Sequence, residues 1–208
     1  MNNMYCKVIK PILDTMLSLI GLILFSWLFL LIVIAIEIDD PGHVFFAQER
    51  IGIHKRHFKL YKFRSMKMST PHDVPTHLLE NSDQYITRIG SFIRKTSLDE
   101  IPQLINILKQ DMSIIGPRPA LWNQYDLIEE RDKYGANDVK PGLSGWAQIN
   151  GRDELEIADK ARLDGEYVKR MSFPFDCRCF FGTAVSALRH DGVVEGGTGE
   201  LHKKENKK

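Results

Sequence analysis

Cysteine is scarce in this chain: Cys6, Cys177 and Cys179 are the only three in 208 residues, an odd number with no C-x-x-C pair. That argues against a disulfide scaffold or a zinc ribbon and fits a reducing compartment. Cys177 and Cys179 have no histidine or further cysteine at ligand spacing, so their sulfurs read as packing groups. Net charge is also missing. The 28 basic and 27 acidic residues nearly cancel, which disfavours a protein that holds nucleic acid through bulk charge. No internal repeat is visible, and the longest apolar run contains no proline. The 43% hydrophobic content supports a real core, and the length fits one domain with an appendage.

What is present is unevenly placed. From Thr15 to Ile36 run 22 residues without a charge, interrupted only by Thr15, Ser18, Gly21 and Ser26. As a helix at about 1.5 Å per residue this run reaches roughly 33 Å, enough to cross a hydrocarbon core. It is too long for the apolar region of a cleaved signal peptide, and it passes into Glu37, Asp39, Asp40 and Pro41 rather than small residues. A helix apolar on every side inside a soluble core would need protein on every side. Membrane insertion is therefore expected. Lys7 and Lys10 precede the run and Arg50, Lys55 and Arg56 follow it, so the positive-inside rule pulls both flanks to the cytoplasm. A helix that enters and returns through one leaflet satisfies both ends, and a straight span does not. Without proline the bend falls to Gly21, Ser18 and Ser26, and is expected to be shallow.

Beyond the turn at Asp39-Asp40-Pro41-Gly42, the spacing predicts short strands over Val44–Ala47 and Phe58–Phe63 and a polar loop over Met68–Pro75. Helices are expected over Tyr85–Lys95, Asp99–Lys109, Leu121–Lys133, Glu154–Met171 and Phe175–Leu188, with a rigid turn at Lys140–Gly145 and a frayed tail from Gly196. The fold class is α/β, mainly helical with a small β-sheet. The division expected is a membrane-inserted helix over 1–38, a compact domain over 39–190 and a flexible tail over 191–208.

Three segments carry possible chemistry. Thr96-Ser97-Leu98-Asp99-Glu100-Ile101-Pro102 places two carboxylates side by side; Ser97 with Glu100 also matches a capping box, a structural role that the motif alone favours. Arg50 to Lys67 contains seven basic and no acidic residues, suited to lipid headgroups or a phosphorylated substrate more than to nucleic acid. In Gly116-Pro117-Arg118-Pro119 two prolines stiffen the backbone around one arginine, and a fixed guanidinium can hold a phosphate through two parallel hydrogen bonds. Trp146 reads as core, and Asp164 as a solvated helix charge.

Taken in order, several segments closely resemble the bacterial sugar transferases, the small monotopic phosphoglycosyl transferases. They are Phe46-Ala47-Gln48-Glu49-Arg50-Ile51-Gly52, Leu60-Tyr61-Lys62-Phe63-Arg64-Ser65-Met66 and the run from Ile93 through Asp99-Glu100 to Leu104. The stretches from Asp111 to Pro119 and from Lys140 to Arg152 complete the match, which covers about Lys7 to Leu188. The resemblance implies transfer of a sugar 1-phosphate from a UDP-sugar to undecaprenyl phosphate, releasing UMP, as the first membrane step of capsule, exopolysaccharide or glycoconjugate synthesis. It implies Asp99 as the nucleophile, Asp99 and Glu100 as holders of Mg²⁺, and Lys62, Arg94, Arg118, Gln148, Arg152 and Asp164 at the substrate. It also implies a catalytic domain on the cytoplasmic face of the bacterial inner membrane, contact with anionic lipids, no nucleic acid, and downstream glycosyltransferases as partners. The loop from Thr70 to Tyr85 is similar to that of capsule-synthesis members handling deoxy-amino sugars. One departure stands out: where the family carries Ser-Pro at the middle of the membrane helix, this chain has Ser26-Trp27. A membrane-anchored nucleotide-sugar hydrolase and a non-catalytic assembly scaffold are the competing readings of the same residues.

Overall fold

The computed structural model describes residues 4–70, 82–151 and 155–189. Most of the Met68–Pro75 loop, and the whole tail from Gly196, lie outside the described residues. After a π-helical turn at Tyr5–Ile9, the apolar run is split into α1, Lys10–Leu24, and α2, Ser26–Asp39, bent by 61°. Among the described residues no single helix is long and apolar enough to cross a membrane. The bend expected to be shallow is sharp. At Phe25 the backbone leaves helical geometry (φ −94°, ψ 7°), and the Ser26 hydroxyl donates to the Ile23 carbonyl at 2.8 Å, capturing an oxygen of the preceding turn. Tertiary contacts then hold each half in its own direction.

Those contacts are unusual in kind. Along α1 the buried residues are Lys10, Asp14 and Ser18, four apart on one face, while Ile12, Met16, Leu19, Ile20 and Ile23 are exposed. The helix therefore turns its polar side inward and its apolar side out. Lys10 Nζ reaches Asp176 Oδ2 at 2.6 Å, the Tyr5 hydroxyl donates to the same oxygen at 2.6 Å, and the Tyr167 hydroxyl donates to Asp176 Oδ1 at 2.8 Å. Asp14 accepts from the Ser113 hydroxyl at 2.6 Å. Lys10 is thus an internal ion-pair partner, not a cation free to meet headgroups, which weakens its part in the orientation argument. From the other half, Ile32 and Ile36 pack with Phe63 and Ile93, and the Phe29 ring lies 4.7 Å from that of Phe63.

The domain that follows begins with an antiparallel hairpin of β1, Phe45–Ile51, and β2, His57–Phe63, in register Phe45↔Phe63 to Ile51↔His57. The first strand runs four residues beyond the expected Ala47 because Ile51, buried, continues the pairing to the turn. Helix α3, Arg88–Lys95, starts at Thr87, whose side chain accepts from the Gly90 amide at 2.8 Å. Gly90 is required there: a Cβ would sit 1.9 Å from the Ser65 carbonyl oxygen.

The expected helix over Asp99–Lys109 is instead a 3-10 turn, Leu98–Glu100, followed by α4, Gln103–Leu108. Pro102 lacks the N–H that an unbroken helix would need, and it takes the N-cap position of α4. The capping box does not form either; Ser97 is left-handed (φ 55°) and its side chain caps nothing. Next come β3, Ser113–Ile115, and α5, Tyr125–Asp132, shorter at its start than expected. The Lys140–Gly145 segment is a strand rather than only a turn: β4, Gly142–Ser144, pairs parallel with β3. The chain closes with α6, Trp146–Ile149, α7, Ile157–Arg170, and α8, Phe173–Arg189. Trp146, Tyr167, Phe175 and Cys179 form a core with Ile115 beneath β3, so Trp146 and Cys179 pack as expected. Among the described residues the fold is mainly helical with two small two-stranded sheets.

Candidate functional site

Asp99 and Glu100 sit on the 3-10 turn Leu98–Glu100, which the chain enters through left-handed Ser97. Adjacent side chains diverge by about 100° on an α-helix and about 120° on a 3-10 turn, so the two acids are joined by a shared cation rather than by the turn itself. Lys62, on β2, lies 2.8 Å from Glu100 Oε1 and 3.3 Å from Asp99 Oδ2. Arg118 Nη2 lies 2.9 Å from the same Glu100 oxygen. Arg94, from the last turn of α3, is held by the Ser65 hydroxyl at 2.7 Å and stabilises the Asp99 anion through space. Asp99 and Glu100 are both largely buried.

The two acids differ electrically. Burial raises the Asp99 carboxyl above its ordinary value; Lys62 opposes the shift and neighbouring Glu100 adds to it. Burial acts on Glu100 as well, but the Arg118 guanidinium and the Lys62 ammonium outweigh it and hold Glu100 well below the usual carboxylate range. Glu100 is thus a fixed anion that organises two cations. Asp99 is the less satisfied and more basic of the two.

Two carboxylate oxygens, Asp99 Oδ1 and Glu100 Oε2, accept no hydrogen bond from a described residue. Among the described residues no group of three or more histidine, cysteine or acidic side chains gathers. A cation held here would complete its shell with phosphate oxygens and water, which is how Mg²⁺ is commonly bound beside one or two carboxylates. The donor set fits that ion.

Around the pair, the loop carrying Arg118 is fixed from both sides. Gly116 N donates to Ser144 O and Gly142 N to Pro117 O, both at 2.8 Å. A Cβ on Gly142 would meet the Gly116 nitrogen at 2.1 Å, so the strand and loop can approach only because both residues are glycine. On the far side Ile51 N donates to Ala120 O at 3.0 Å, and Arg50 Nη1 to Pro119 O at 3.0 Å.

Of the residues expected at the site, Asp99, Glu100, Lys62 and Arg118 are in direct contact and Arg94 is beside them. Gln148 donates to Leu143 O at 3.0 Å and keeps Oε1 buried without a hydrogen-bond partner. Arg152 lies outside the described residues. Asp164 is not a solvated helix charge: it is 1% exposed and accepts from Arg131 Nη2 at 2.6 Å and Nε at 2.8 Å. Nor is the basic run from Arg50 to Lys67 one surface. Lys62 faces the carboxylates, Arg64 pairs with Asp40, and Lys55 pairs with Asp132. Arg50 as a support of the Arg118 loop, and Tyr5, Lys10 and Asp176 as a cluster, were missed by sequence reading. Lys10 and Asp14, an i,i+4 pair heading an apolar run, were the available signal for the second.

Residues 5–190 match the family described as Bacterial sugar transferase. The chain is 38% identical over 191 residues to the UDP-glucose:undecaprenyl-phosphate glucose-1-phosphate transferase of Xanthomonas campestris pv. campestris, covering 88% of this chain and 40% of that protein. It is 40% identical over 190 residues to the protein of the same name from Escherichia coli strain K12, covering 88% and 40%. With the uncharacterized sugar transferase EpsL of Bacillus subtilis strain 168 it shares 40% identity over 168 residues, covering 81% and 80%. The chain therefore spans about two fifths of the length of the two larger relatives.

Proposed function

This chain belongs to the bacterial sugar transferase family, and on that premise we propose that it transfers a sugar 1-phosphate from a UDP-sugar to undecaprenyl phosphate. The observation that carries the reading is the asymmetry of the acidic pair: Lys62 and Arg118 both bond Glu100 Oε1, while Asp99 is buried, meets Lys62 at the longer distance of 3.3 Å and is the more basic of the two, which suits it to act as the nucleophile. An Asp99 oxygen attacks the sugar-bearing phosphorus. The bond to the bridging oxygen breaks, and UMP leaves with its electron pair. An oxygen of the lipid phosphate then attacks the same phosphorus and releases the Asp99 carboxylate unchanged. Arg118, Lys62 and Arg94 hold phosphate oxygens and spread the charge of the transferring group. Gln148 and Arg152 are assigned to the donor by the family resemblance, whereas Asp164 serves the packing of α7 on α5. Held by Asp99 and Glu100, Mg²⁺ supplies neutralisation of the diphosphate and of the leaving group.

The acceptor is a lipid, and the bent pair α1–α2 is suited to meet it. Its exposed side is apolar from Ile12 to Ile38, with Trp27 63% exposed at the bend. Both ends of the pair pack on the same domain, through Lys10 with Asp176 at one end and Ile36 with Phe63 at the other. That favours a helix that enters and leaves one leaflet, with the residues that bind UDP-sugar on the cytoplasmic face of the inner membrane. Two of the relatives named above, from Xanthomonas campestris and Escherichia coli, are named as undecaprenyl-phosphate transferases, in keeping with a membrane protein of polysaccharide synthesis. The Thr70–Tyr85 resemblance favours a deoxy-amino sugar as donor.

The test is intact-mass analysis of purified protein mixed with UDP-sugar donors alone. The wild type is expected to gain one sugar phosphate and release one UMP, with Asp99→Asn gaining nothing. An equal adduct on Asp99→Asn, or continuous UMP release with water as acceptor, overturns the scheme.

A further inference from the structure

Arg50 lies next to the Arg118 loop, and among the described residues its bonds go to neutral groups. Its Nη1 donates to Pro119 O at 3.0 Å and its Nη2 to the Gln48 side-chain oxygen at 2.6 Å, while Nε is buried without a partner. Among the described residues no carboxylate pairs with it. A half-buried guanidinium with its Nε enclosed and bound only to neutral oxygens is a costly arrangement unless its geometry does something. Burial and the nearby positive charge of Arg118, which outweighs attraction to Glu100, bring its pKa down to about 10, still charged at neutral pH.

What the geometry does is visible in the loop that Arg50 grips. Arg118 is flanked by Pro117, whose carbonyl is taken by the Gly142 amide from β4, and by Pro119, whose carbonyl is taken by Arg50. Ile51 N to Ala120 O extends the second grip by one residue. The backbone on either side of Arg118 is thereby fixed by two different elements. Proline rings restrict φ on both sides but leave ψ to be set by these carbonyl contacts. Arg118 then meets Glu100 with one Nη at 2.9 Å.

We propose that Arg50 is a positioning residue for Arg118, holding the Pro119 carbonyl so that the Arg118 guanidinium is presented to the donor diphosphate. The inference rests on the phosphate role given to Arg118 above, and it assigns Arg50 no contact with substrate. It makes a demand that a plain structural role does not. If Arg50 acts through Arg118, removing Arg50 matters only while Arg118 is present.

A double-mutant cycle read by UDP binding on the full-length protein in detergent, with isothermal titration calorimetry, tests this. Arg50→Met in the wild-type background is expected to weaken UDP binding about tenfold, the scale of one lost charge-assisted hydrogen bond. In the Arg118→Ala background the same change is expected to cost less than about twofold, since the shared effect is already gone. Equal factors in both backgrounds overturn the proposal while leaving the phosphate role of Arg118 intact. An Arg118→Ala protein that binds UDP like wild type overturns that role and this inference with it. Should Arg50→Met lower the yield of folded protein, the cycle runs on Arg50→Lys, which keeps the charge and one donor but cannot span Pro119 O and Gln48 together. A smaller loss, about threefold, that again vanishes with Arg118→Ala supports the proposal; a loss that persists overturns it.

Discussion

Replacing Arg131 by methionine isolates the buried pair that ties α5 to α7. Arg131 is 4% exposed and Asp164 1% exposed, and both Arg131 bonds fall on Asp164 Oδ2. Removing the cation leaves a carboxylate with no counter-charge in a dry site, a loss of about 3–5 kcal/mol. For a chain of this size ~1 kcal/mol corresponds to about 2–4 °C in melting temperature, so a fall of about 6–20 °C is expected. Changing Asp164 to leucine as well removes the stranded charge, and most of the loss should return. The sign of the pH dependence follows from the wild type. Burial already raises the Asp164 carboxyl despite Arg131, so its stabilising contribution is present at low pH and fades as pH rises through that raised value. Without Arg131 the value rises further, and the gap between Arg131→Met and wild type should narrow as pH falls from neutral toward that raised value. Differential scanning fluorimetry of the single and double variants supplies the numbers, and donor KM supplies the control. Equal melting temperatures for Arg131→Met and wild type refute the packing argument. So does an Asp164→Asn variant that melts normally but has a much higher donor KM, since Asp164 would then belong to the donor pocket.

Arg118→Lys should impair turnover nearly as much as Arg118→Ala, about 100-fold or more, because a point charge cannot reproduce a two-pronged contact; steady-state UMP release decides, and near-wild-type activity for lysine means that charge alone suffices. The acid limb of kcat/KM should lie above the ordinary carboxylate range, because Asp99 must be ionised and burial raises it; a limb at or below that range removes Asp99 as the titrating nucleophile. A single cysteine at position 2, with native cysteines replaced, should resist labelling from outside intact cells, and labelling there means a spanning helix. Lys10→Met should leave Asp176 without its cation at 2.6 Å and destabilise the protein by about 3–5 kcal/mol, read by unfolding in detergent; an unchanged transition means that the pair does not hold α1 to α8.

Period and composition reveal where helices and strands occur, and the structure places nearly all of them close to expectation. What they do not reveal is which of two local rules wins at a given residue. Ser97-x-x-Glu100 obeys the capping rule as text, yet Pro102 forbids the unbroken helix that the cap would start, and Ser97 is left-handed instead. With that rule overridden, Asp99 and Glu100 sit on a 3-10 turn of their own, and Lys62 bridges them. The same holds for the apolar run, where charge at its head suggests a cytoplasmic flank but Lys10 is spent on Asp176, 166 residues away. Long-range pairing of this kind leaves no period in the sequence. Neither Asp164 nor Asp176 could be told from a surface acid on a helix, because burial depends on the partner helix, not on the helix that carries them. The acidic motif is legible for the opposite reason. Its residues are local: Asp99, Glu100 and the prolines around Arg118 constrain their own backbone, and only the cations that reach them come from elsewhere. Lys62 arrives by strand pairing, and Arg118 arrives because Gly116 and Gly142 let two strands approach. A single methyl group on Gly142 would separate those strands and move Arg118 away from Glu100 without altering a charged residue.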